Sequence, residues 1–201
     1  MKSNLTQSFI APAWRARGLW AILLAIQLLG AAMNARALSV VELSFDALVQ
    51  QAEVIVVATV TAKQGVMGAD GYTIHTLVRL SDIDVIKGDV PAAEFDLRLP
   101  GGVVGNSAQV YHGVPRLEPG QRYVLFIHGQ QHAFIPLAGA FQGAYRVLND
   151  AEGEAHVVRV DHDHLANPVV RALTVSTTPT LESFITRIRE RLSSPVSTTP
   201  P

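Results

Sequence analysis

The chain of 201 residues contains no cysteine. That excludes a disulfide scaffold, a thiolate zinc site, an iron–sulfur cluster, a thiol nucleophile and a lipid-modified cysteine. Aromatic residues are scarce, at 6%, and Lys plus Arg (16) nearly cancel Asp plus Glu (17). A chain so nearly neutral and so poor in aromatics has no general basis for gripping nucleic acid or an anionic membrane. What is abundant is apolar. Hydrophobic residues make up 48% of the chain and charged ones 16%, too apolar a balance for a disordered polymer.

The first part of the chain reads as an address. Lys2, Arg15 and Arg17 form a basic start without acids, and Gly18 to Met33 then runs uncharged. Small residues follow, ending in Ala35-Arg36-Ala37. Basic, apolar and A-x-A segments in that order define a secretory signal peptide over residues 1–37. The apolar run is shorter than the roughly 20 residues of a membrane-spanning helix. An uncleaved signal anchor is the rival reading. Cleavage after Ala37 removes Lys2, Arg15, Arg17 and Arg36 and leaves residues 38–201 with twelve basic and seventeen acidic groups, net −5. A mature chain of this size buries about 70% of its unfolded surface, enough for a core without staples.

Residues 38–160 carry the signals of a β domain. Ser44 is placed to cap a helix over Phe45–Gln51, with Phe45, Leu48, Val49 and Ala52 at helical spacing. The β-branched run Glu53–Lys63 predicts a strand whose start is buried on both faces. Gly65, Gly68 and Gly71 predict a flexible turn. Tyr72–Lys87 alternates and then changes parity, which predicts a bulge near Ser81-Asp82. Further strands are expected at Glu94–Leu99, Tyr123–His128 and Ala133–Leu137, and a hairpin at Ala144–Leu148 and Ala155–Val160. Pro100 to Gly120 is expected as a loop. Residues 161–192 read as a polar linker followed by a closing helix capped by Thr180, with Leu181, Phe184, Ile185, Ile188 and Leu192 as its apolar stripe. That helix is expected over one end or edge of the sheet. Residues 193–201 read as a disordered tail. Short strands punctuated by glycine and proline predict a mainly β fold, a five- to seven-stranded OB-like Greek-key barrel with a helix at each end.

The order Leu43-Ser44-Phe45-Asp46-Ala47-Leu48-Val49, the run Ala52 to Val60, and Val85-Ile86-Lys87-Gly88 are similar to a family of uncharacterised secreted bacterial proteins. Leu99-Pro100-Gly101-Gly102, Gly113 to Leu117, Pro119 to Phe126 and Gln142 to Val147 extend the likeness over about residues 39–150. The resemblance implies secretion and the order of elements, and no chemistry. The buried strand and the Lys-Gly ending the second strand also resemble the netrin-like OB barrel of tissue metalloprotease inhibitors. Those inhibitors present an N-terminal cysteine to the protease zinc. This chain has none, so that mechanism does not carry over.

Several groups are candidates for chemistry or binding. Asp161-His162-Asp163-His164 is the densest set of metal ligands, and at strand spacing His162 and His164 share a face. His128 and His132 flank a polar loop, but no glutamate follows His128, so the H-E-x-x-H pattern is absent. Ser107 and His112 lack a G-x-S-x-G elbow and an orienting acid. Pro100, Gly101, Gly102 and Gly105, with Tyr111, His112, Gly113 and Pro115, form the most distinctive loop. A long loop in a compact domain tends to be functional, which makes these eight the expected partner-binding residues. The expectation is therefore an exported, non-enzymatic β-barrel module, without a cofactor, that binds a protein partner such as a co-secreted protease. Nucleic acid is not expected as a partner, nor is the membrane once the signal is cleaved. The alternatives are a metal-dependent or hydrolytic enzyme using some of His112, His128, His132, His162 and His164, and an envelope protein held by an uncleaved N-terminal anchor.

Overall fold

A computed structural model describes residues 42–129, 133–160 and 178–194. The signal peptide, His132, His162 and His164 lie outside the described residues, as do most of the polar linker and of the tail. Helix α1 (Phe45–Gln51) starts where its cap requires, with the Ser44 hydroxyl accepting from the Ala47 amide at 3.2 Å. Strands β1 (Val54–Met67) and β2 (Ile74–Lys87) are each 14 residues long and pair antiparallel. β3 (Phe95–Pro100), β4 (Gly102–Val104), β5 (Ser107–Gln109) and β6 (Arg122–Ile127) follow. After a single 3-10 turn, Ala140–Gly143, come β7 (Ala144–Asn149), β8 (Ala155–Arg159) and helix α2 (Leu181–Ser193).

Six strands form one antiparallel sheet in the order β3-β2-β1-β6-β7-β8, while β4 and β5 form a separate hairpin. The protein is mainly β, as its alternating segments require. Among the described residues no ladder joins β3 to β8, so the sheet is open where a closed barrel was expected. The expected bulge is present. Asp82 takes φ +49, and the β1–β2 register slips between the Val57/Asp84 and Thr59/Ser81 pairs. Two further slips bend the same hairpin, between Ile55 and Val56 and between Val60 and Ala62.

Three expectations about individual segments are also corrected. Gly65 lies inside β1 and not in a turn, because β4 crosses there and a Cβ on Gly65 would collide with the Val103 carbonyl. Ala133–Leu137 is not a strand. It makes only the isolated bridge Ile127–Leu137, and Pro136 in its middle has no amide to give a ladder. The segment after Gly101 is not all loop, since β4 and β5 pair across the turn Gly105-Asn106.

The centre of the sheet, the first half of β1 with β6, is buried on both faces. On one face Val54, Val56, Ala58 and Val60 of β1 pack with Val78, Leu80, Leu97, Leu99, Tyr123 and Leu125. On the other, Ile55, Val57, Val124 and Phe126 meet both helices through Leu48, Val49, Phe184 and Ile188. Helix α2 therefore covers the sheet's face beside α1, where the stripe alone suggested an end or edge. Phe184 stands 5.4 Å from Phe45 and 4.9 Å from Tyr145, ring centre to ring centre, at tilted or edge-on angles. Arg187 lies 4.3 Å over the Phe45 ring and Arg191 pairs with Asp46 at 3.0 Å, so part of the basic side of α2 faces α1.

Candidate binding site

The Pro100–Pro119 segment is built from the end of an edge strand. Pro100 ends β3, opposite His75, where a missing amide on the free side of the sheet leaves nothing unpaired. Gly101 and Gly102 follow at φ +84 and +137, backbone that only glycine adopts without strain. A Cβ on Gly101 would press on the Gln109 carbonyl and the Tyr111 ring, and one on Gly102 would collide with the Thr76 hydroxyl. The two glycines thus reverse the chain into β4 while letting it lie against the start of β2.

Hydrogen bonds clamp this arm in place. The Gly101 amide donates to the Ile74 carbonyl at 2.8 Å, and the Thr76 hydroxyl donates to the Gly101 carbonyl at 2.7 Å. The Gln109 side-chain amide donates to the Tyr72 carbonyl at 2.7 Å, and its oxygen accepts from the Ile74 amide at 2.8 Å. One glutamine side chain therefore acts as a missing strand residue and ties the end of β5 to the start of β2.

Between the arm, β2 and the segment before β6 lies a cleft of about 200 Å³. Val78, Leu99, Tyr111, Val114 and Leu117 line it with apolar surface, and Lys63 and Arg116 contribute the cations. Lys63 is paired with Glu118 at 3.0 Å. Large apolar side chains stand exposed on the arm and beside it: Val103 at 65%, Val110 at 80% and Phe134 at 58%. Phe134 packs edge-on against Tyr111, with ring centres 5.0 Å apart.

Of the eight residues expected at the site, Pro100, Gly101, Gly102, Tyr111 and Pro115 line the cleft. Gly105 is at the exposed tip of the arm, His112 is exposed, and Gly113 makes a left-handed turn at φ +86. Sequence reasoning missed Val103, Gln109, Val110 and Phe134. A Gly-Asn pair between two short runs is a hairpin signal, so β4 and β5 were within reach. Nothing local marks Phe134, which arrives from the chain beyond β6.

The histidines do not form one group. His128 faces Glu53 at 3.4 Å, and both side chains are about half exposed. Among the described residues Ser107 and His112 share no hydrogen bond. His156, which sequence reasoning passed over, comes together with Asp150 and Glu154 on the β7–β8 hairpin. No protein-family model, no curated protein and no solved structure matches the chain.

Proposed function

We propose that this protein is an exported, non-enzymatic β module that binds a protein partner at the cleft beside the β4–β5 arm. The reading joins the signal-peptide pattern of residues 1–37 to the family of secreted proteins that the chain resembles. One observation carries it: Val103, Val110 and Phe134 are held out in solvent around a cleft whose walls are clamped by Gln109 and Thr76. Exposed valines on a clamped arm, with Phe134 beside it, bury apolar area on contact with little ordering cost. A co-secreted protease is the proposed class of partner, on the buried strand and the Lys-Gly ending of the second strand that resemble netrin-like inhibitors. The same resemblance supports an OB-like plan for the bent β1–β2 pair.

The test uses the processed chain as bait in the secreted fraction of its source. The wild-type chain is expected to retain a specific protein, and Val103→Glu/Val110→Glu is expected to lose it while staying folded. Both positions are exposed, so the fold does not depend on them. Retention of the same proteins by both chains, or of none by either, rejects the proposal.

A further inference from the structure

The β7–β8 hairpin turns at Asp150, and its Oδ1 accepts the amides of Glu152 at 3.0 Å and Glu154 at 2.7 Å. These two bonds hold the carboxylate so that Oδ2 points at His156. The His156 side chain is only 9% exposed. Its Nδ1 lies 3.0 Å from the Thr178 carbonyl, and its Nε2 lies 3.1 Å from Asp150 Oδ2. A carbonyl only accepts, so Nδ1 carries a hydrogen. In the neutral ring Nε2 then presents a lone pair to a carboxylate oxygen. Two lone pairs at that distance repel, so the contact is held either by a proton on Nε2 or by a cation that both atoms ligate. Glu154 Oε2 stands 4.0 Å from the same nitrogen, too far for a hydrogen bond.

We propose that Asp150, Glu154 and His156 form a binding site for a divalent transition-metal cation, zinc being the fitting representative. A tetrahedral zinc with bonds of ~2.0–2.2 Å holds its donors about 3.3 Å apart. The 3.1 Å separation of Nε2 and Oδ2 already fits this spacing. The 4.0 Å separation closes when Glu154 moves by less than an ångström, and its side chain is 62% exposed and free to do so. One ligand atom from each residue lies within 4.8 Å of the others. The Thr178 carbonyl on Nδ1 supplies the outer-shell acceptor that orients a metal-binding imidazole and fixes its tautomer. Water completes the coordination from the Glu154 side. The site stands apart from the proposed cleft and does not rest on it. It also joins two pieces of the fold, since Val157 donates to the Pro179 carbonyl and His156 bridges to Thr180 at the entry to α2.

The test titrates zinc ion alone into the untagged full chain by calorimetry, with the His156 ring followed by 15N NMR. One equivalent is expected to bind and to shift Nε2 and not Nδ1. Asp150→Asn keeps an oxygen for the two turn amides and offers Nε2 an amide donor, so the hairpin stays folded while a ligand is lost. Glu154→Gln alters only an exposed group. Each is expected to weaken zinc by roughly tenfold or more, the scale on which even outer-shell changes act. His162→Ala/His164→Ala is expected to leave this affinity unchanged. Zinc that fails to bind, an Nε2 that reports only a proton, or affinity carried by His162 and His164 overturns the proposal.

Discussion

The Lys87 ammonium donates to the Val49 carbonyl at 2.8 Å. It also reaches the carbonyls of Gln50 and Ala52, so one side chain from the end of β2 closes the C-terminus of α1. A short helix leaves its last carbonyls without partners, and a cation there meets both the free acceptors and the negative end of the helix dipole. Gly88 follows at φ +72, and a Cβ there would collide with the Glu53 carbonyl. The Lys-Gly pair is thus a structural lock between strand and helix. Lys87→Met is expected to lower stability by about 1–3 kcal/mol, the scale of charge-assisted hydrogen bonds lost to buried acceptors. Urea unfolding checks it, and amide exchange should rise first in α1.

Phe184 joins α2 to α1 and to the sheet through three ring contacts, with Phe45, Phe126 and Tyr145. Its removal leaves a cavity that the β sheet cannot close. Phe184→Ala is expected to cost about 3–5 kcal/mol. Thermal unfolding measures it, and a change under about 1 kcal/mol would mean that α2 is not part of the core.

Gly101 and Gly105 differ in what surrounds them. A Cβ on Gly101 meets backbone and a ring, whereas one on Gly105 meets nothing within 4 Å. Gly105→Asn suits its left-handed turn and is expected to change stability by less than about 1 kcal/mol. Gly101→Ala is expected to detach the arm, exposing the Ile74 amide, which donates to Gln109 Oε1, to exchange. Equal exchange rates in the two variants would contradict this account of the clamp.

The Asp70 carboxyl is lowered to about 2, chiefly by the Thr73 hydroxyl and then by the Thr73 and Tyr72 amides. Its folded value lies below its unfolded one, so its contribution to the β1–β2 turn is present above the unfolded pKa near 3.8 and is lost as pH falls through about 2. An NMR titration should show the Thr73 amide shifting only below pH 3. Asp70→Asn should abolish that transition.

Processing after Ala37 predicts a secreted product that begins at Leu38. Mass spectrometry of the N-terminus checks it, and an intact N-terminus in the membrane fraction would support the anchor reading.

Local patterns in the sequence were sufficient for most elements. Ser44 with its 3.6-residue apolar spacing, the β-branched run from Val54, the parity change at Ser81-Asp82 and the Thr180 cap each express physics that acts between near neighbours, and each element formed where those signals lie. The composition also determined that the core must stand without disulfides. Tertiary structure alone decided the rest. Gly65 became a strand residue because β4 crosses it. Phe134 reached Tyr111 from beyond β6, and α2 took the sheet's face because Phe45, Phe126 and Tyr145 were assembled there to receive Phe184. His156 gained its meaning in the same way. Its ring nitrogens are oriented by Asp150, six residues before it, and by the Thr178 carbonyl, 22 residues after it. Propensity and periodicity report a residue's immediate neighbours, whereas a clamp, a cleft or a ligand set depends on which distant backbone groups arrive beside it.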